Sequence, residues 1–79
     1  MKEMEELVAY IAKSLVDNPE DVKTSVSEEE DTVTIELTVA QDDLGKVIGK
    51  QGRTARAMRT LLSAAAEKDN KKSRLDILE

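Results

Sequence analysis

Gly45-Lys46-Val47-Ile48-Gly49-Lys50-Gln51-Gly52-Arg53 is the stretch on which the fold of this 79-residue chain turns. It holds every glycine of the sequence. Only Lys50 and Gln51 separate Gly49 from Gly52, so the backbone there can bend sharply, take φ > 0 and come close to a ligand. Lys46 and Lys50 bring positive charge to the turn. Arg53, Arg56 and Arg59 follow at three-residue spacing, which on a helix forms one slanting stripe. A helix that begins at such a turn aims its first amides and the positive end of its dipole at the same place, an arrangement suited to phosphate. Val47 and Ile48 offer an apolar wall beside it.

Outward from the turn, periodicity changes from helix to strand and back. Met4, Leu7, Val8, Ile11 and Leu15 follow the spacing of an amphipathic helix, which Asn18-Pro19 stops. Val22 to Val26 reads as a short strand and Ser27 to Asp31 as a polar turn. Val33, Ile35, Leu37 and Val39 alternate with polar residues, so Thr32 to Val39 is a strand that closes an antiparallel hairpin. Asp42 or Asp43 can cap a short helix that runs to about Ile48. A longer helix from Arg53 to about Lys68 has an apolar face of Ala55, Met58, Leu62, Ala65 and Ala66, widened by Leu61. Ser73 to Leu78 is the last strand, with Leu75 and Ile77 on one face. The order helix, strand, strand, helix, helix, strand predicts an α+β fold, with three helices on one face of a three-stranded sheet. A single domain over residues 1–79 is expected.

The net charge is −5, but it is divided unevenly. Residues 1–43 carry thirteen acids and three bases, whereas residues 44–66 carry five bases and no acid. Exposed charges are screened beyond about 8–10 Å, so a phosphate responds to the local cationic segment more than to the acidic remainder.

Composition removes most chemistries. Without cysteine there are no disulfides, no thiolate catalysis and no sulfur-ligated zinc. Without histidine the commonest general base and metal ligand are gone, and Ser14, Ser25, Ser27, Ser63 and Ser73 have no imidazole to activate them. Glu28-Glu29-Glu30-Asp31 lacks calcium-loop spacing and its glycine, and reads as a solvated turn. No enzyme activity, metal or cofactor is expected. Tyr10, the only aromatic, argues against sheet surfaces that stack bases and is expected to pack at a helix edge. No signal peptide and no apolar run long enough to span a bilayer is present, so a cytoplasmic protein without membrane association is expected. The spacing fails the P-loop pattern, which needs four residues between its first glycine and Gly-Lys; here Gly45 and Gly49 are separated by three.

Val47-Ile48-Gly49-Lys50-Gln51-Gly52-Arg53 resembles the Ile-Gly-x-x-Gly motif of the KH RNA-binding domain. The element order is similar to the bacterial, type II KH arrangement, and nearly the whole chain resembles the small single-domain KH proteins of the KhpA family. The resemblance implies a G-x-x-G clamp of Gly49, Lys50, Gln51 and Gly52 on about four nucleotides of single-stranded RNA. Ile48 and the Arg53, Arg56 and Arg59 stripe would line one side, with Lys46 adding charge, and the Thr32 to Val39 strand the other. It also implies an RNA chaperone linked to cell elongation and cell-wall homeostasis, self-association as a possible homodimer, and a larger KH-containing partner of the KhpB type. Three other readings stay open on the residues alone: a plain solvated turn, a helix-turn-helix reader of duplex DNA, and a dimerising subunit with weak RNA affinity. The apolar surplus of Val8, Ile11, Leu61, Leu62 and Ala64–Ala66 is read as core, with any leftover strip available for that dimer.

Overall fold

The computed structural model describes residues 2–78. Helix α1 (Lys2–Leu15) leads to strands β1 (Lys23–Glu29) and β2 (Thr32–Thr38), short helix α2 (Leu44–Ile48), long helix α3 (Arg53–Glu67) and strand β3 (Lys72–Leu78). This is the predicted α+β order. The sheet runs β1-β2-β3, with β1 antiparallel and β3 parallel to β2. Parallel neighbours need a crossover, and α2, the glycine turn and α3 supply it. The turn is thereby held within a crossover fixed at both ends by the sheet.

The register explains why one face is dry. Val26 lies opposite Ile35, and Ile35 opposite Leu75, so these side chains share the helix-facing side. Val33, Ile35 and Leu37 are completely buried there. Met4, Val8 and Ala12 come down from α1, Val47 from α2, and Met58, Leu62 and Ala66 from α3, each set at the spacing of one helical face. The other sheet face carries Ser25, Ser27, Thr34, Thr38 and Arg74 and remains wet or half-wet.

Boundaries depart from expectation where charge was read as a break. The polar turn predicted over Ser27 to Asp31 shrinks to Glu30-Asp31, because Glu28 and Glu29 continue the ladder opposite Val33 and Thr32. An edge strand whose side chains reach water can carry acids at little cost. Glu30 takes φ 56, and the Asp31 carbonyl accepts the Lys72 N–H at 2.7 Å, which ties the hairpin tip to the start of β3. Ala64 and Leu61 are not core: both are exposed, and Ile11 and Ala65 are only half-buried. Tyr10 does not pack at the helix edge, since it is 72% exposed.

Candidate nucleic-acid interface

The glycine turn is built around three unusual residues, with Lys50 between the first and the second. Gly49 has φ 79 and ψ 170, Gln51 φ 57 and ψ 25, and Gly52 φ 73 and ψ 14. The first pair of angles lies in a region open essentially to glycine alone. Here the turn uses its own polar groups. The Gly49 N–H donates to Gly45 O at 2.8 Å, the Gly52 N–H to Gly49 O at 3.0 Å, and the Arg53 N–H to Lys50 O. The side facing solvent is open: a Cβ placed on Gly52 would have no atom within 4 Å, whereas one on Gly49 would meet Thr54. The two glycines therefore differ in function. Gly49 is demanded by the fold, and Gly52 leaves open space beside the turn.

Around this turn the sequence-predicted side chains separate into two groups. Lys50 and Arg56 are exposed and make no side-chain hydrogen bond or ion pair among the described residues. Arg53 leans on the Gln51 amide oxygen at 3.3 Å, a neutral partner that leaves its charge uncompensated. Ile48 is exposed beside them, as an apolar wall requires. Arg59 is different: its Nη2 donates to the Leu75 carbonyl at 3.2 Å and clips α3 to β3. Lys46 is also engaged. Its ammonium pairs with the Asp17 carboxylate and stands 3.7 Å from Asp43 Oδ1.

On the α3 side the strand at the sheet edge is β3, not the Thr32 to Val39 strand. β2 is the central strand, so its edges are both paired and its helix-facing side chains are buried under the core. Its remaining side chains point to the other face of the sheet. β3 is the edge that α3 packs against, with the Leu75 carbonyl turned outward to Arg59. Strand order was the missing information, since alternation identifies a strand but not its neighbours.

One residue that positions the turn was misread in the sequence. Asp43 precedes α2 but makes no capping bond to it. Instead it is 1% exposed, and its carboxylate accepts the Asp17 N–H at 3.2 Å, the Asn18 N–H at 3.0 Å and Asn18 Nδ2 at 3.0 Å. It locks the segment after α1 to the start of α2, and no sequence spacing announces a contact over 25 residues. Burial pushes the Asp43 carboxyl up, but the Asp17 and Asn18 hydrogen bonds and the Lys46 charge outweigh it and hold the pKa below its ordinary 3.8. The Lys46 ammonium moves the other way: its hydrogen bond to Asp17 outweighs burial and raises it above 10.5.

These directions fix a pH dependence. A carboxyl lowered on folding stabilises the protein fully above its unfolded value, and that contribution is lost as pH falls through the folded one. The lysine contribution is present below 10.5 and lost at higher pH. Urea titrations of Asp43→Asn are expected to start less stable at neutral pH and to show a shallower acid decline below about pH 4 than the parent. Coincident acid limbs would remove Asp43 from the linkage.

The family model for the KhpA/KhpB KH domain matches residues 5–77. The chain is 51% identical over 76 residues to the RNA-binding protein KhpA of Listeria monocytogenes, covering 96% of this chain and all of that protein. It is 55% identical over 75 residues to the RNA-binding protein KhpA of Clostridium perfringens, covering 95% of this chain and all of the relative. The RNA-binding protein KhpA of Chlamydia trachomatis is 51% identical over 76 residues, with 96% and 97% covered.

Proposed function

The chain belongs to the KhpA/KhpB KH-domain family, and from that premise we propose that it is a single-stranded RNA-binding module that acts as one KH domain over residues 1–79. About four nucleotides would be engaged, with phosphates over the Gly49–Gly52 turn and bases between Ile48 and β3. The observation that supports this most directly is the glycine turn itself: it carries Lys50 and opens a helix whose first turn bears Arg53 and Arg56, all three with their charge uncompensated. Binding rather than catalysis is the task, because the groove brings together cations, an aliphatic side chain and backbone but no general base. Among the described residues no helix is long and apolar enough to cross a membrane, and the cytoplasm is the proposed compartment. An RNA-chaperone role linked to cell elongation and cell-wall homeostasis is part of the same proposal.

The three uncompensated cations make the test quantitative. At roughly 0.7 per phosphate contact on a single strand, log K against log salt is expected to fall with a slope of about −2. A flat response would exclude phosphate-led binding. Duplex DNA is expected to compete poorly with single-stranded RNA, because beside arginines, which can read guanine, α3 presents no Asn or Gln to read adenine; equal competition would favour a helix-turn-helix reader.

A second reading has its own support. Tyr10 is 72% and Leu61 49% exposed, apolar surface that α1 and α3 do not bury. It is consistent with a homodimer or with docking of a larger KhpB-type protein, in which weak sites add through linkage. Recovery of that partner after nuclease treatment is the expected result; its loss with the RNA would leave the RNA module alone.

A further inference from the structure

We propose that Asp17 is an electrostatic brake on the RNA clamp. It pins the Lys46 ammonium, and removing its carboxylate would let Lys46 join Lys50, Arg53 and Arg56 as a fourth phosphate contact. The inference rests on the clamp assignment above. It is carried by the difference between the two carboxylates that hold Lys46. Asp43 is buried and its oxygens satisfy the Asp17 and Asn18 donors, so it belongs to the fold. The Asp17 side chain is 77% exposed and meets only Lys46 among the described residues. What Asp17 contributes to the lock is its backbone N–H, which any non-proline residue supplies. The side chain therefore satisfies no buried donor; beyond the modest stability of an exposed ion pair, its effect is the neutralisation of a nearby cation.

Lys46 is close enough for that to matter. The Gly49 N–H bonds to Gly45 O, so Lys46 and the first glycine of the clamp share one helical turn. A lysine stem extends about 6 Å, and unscreened influence reaches about 8–10 Å at ordinary ionic strength. Exposed ion pairs of this kind are weak and salt-sensitive, so the pin can be released without disturbing the core. Once released, Lys46 keeps the Asp43 oxygen 3.7 Å away as its only remaining carboxylate among the described residues, a looser contact than the one it loses.

The experiment titrates a labelled random-sequence RNA of about ten nucleotides over a series of KCl concentrations. Asp17→Asn is expected to bind about fivefold more tightly at 0.1 M salt, with a slope steeper by about 0.7, the contribution of one added phosphate contact on a single strand. The gain is expected to vanish when Lys46→Met is added. An unchanged affinity and slope in Asp17→Asn overturns the brake. So does a gain that survives Lys46→Met, because it would then come from general loss of negative charge. Asp17→Ser serves as the second carboxylate-free variant and must reproduce the gain. Failure of the clamp assignment reads differently: the variant with Lys50→Asp and Gln51→Asp would bind as the parent does, whatever happens at Asp17.

Discussion

Lys50→Asp combined with Gln51→Asp is expected to weaken single-stranded RNA binding by about a hundredfold at 0.1 M salt, with the fold retained. Loss of the Lys50 contact removes about fivefold, and each new carboxylate facing a phosphate costs a similar factor. The substitutions suit the backbone. Both side chains are exposed, and Gln51 already sits at φ 57, where aspartate is better tolerated than most residues. The Gln51 amide oxygen that Arg53 touches is replaced by a carboxylate, so Arg53 gains an intramolecular partner and loses freedom to meet phosphate. Circular dichroism would show an unchanged spectrum. If that folded variant bound RNA normally, the clamp would have to lie elsewhere on the molecule. Arg56→Ala is a milder probe of the same surface, since it removes one contact and leaves the turn alone.

What the sequence disclosed, and what it withheld, follows from the range of the forces involved. The helices were legible because Met4, Val8 and Ala12, or Met58, Leu62 and Ala66, repeat within a few residues of each other. β2 was legible because it is central, buried on one face and wet on the other, so its alternation is sharp. β1 was legible only as far as Val26: as an edge strand it tolerates Glu28 and Glu29, and that half of it imitates a loop. The turn was legible in outline because three glycines and its cations are local. The partners of those cations were not. Lys46 looks like a free base in the sequence and is held by Asp17 from 29 residues away, while Arg59 looks like a phosphate ligand and clips the β3 edge. Side chains identify what a site can bind, but only the tertiary contacts tell which of them are already occupied.

The two glycines of the turn should separate in their response to alanine, and Gly49 should be the severe case. Gly49→Ala is expected to cost about 3 kcal/mol, or roughly 12–24 °C in melting temperature for a domain of this size. Two terms combine there. The backbone at φ 79 and ψ 170 strains any L side chain, and a Cβ would lie 2.3 Å from Thr54 Oγ1, 2.8 Å from Thr54 Cβ and 2.9 Å from the Thr54 nitrogen. The last is backbone of the first turn of α3 and cannot move without shifting the helix that carries Arg56 and Arg59. Gly52→Ala has only the left-handed penalty, about 1–2 kcal/mol, since nothing lies within 4 Å of its Cβ position. If the proposed clamp holds, its larger effect should be on RNA affinity, because the new methyl stands on the open side of the turn. Thr54→Ala in the Gly49→Ala background should recover part of the loss by removing Oγ1, but not all of it, because the Thr54 Cβ and nitrogen and the backbone strain remain. Equal melting temperatures for the two glycine variants would contradict this division of roles. Full rescue by Thr54→Ala would show that the contact with the Thr54 hydroxyl alone carries the cost at Gly49.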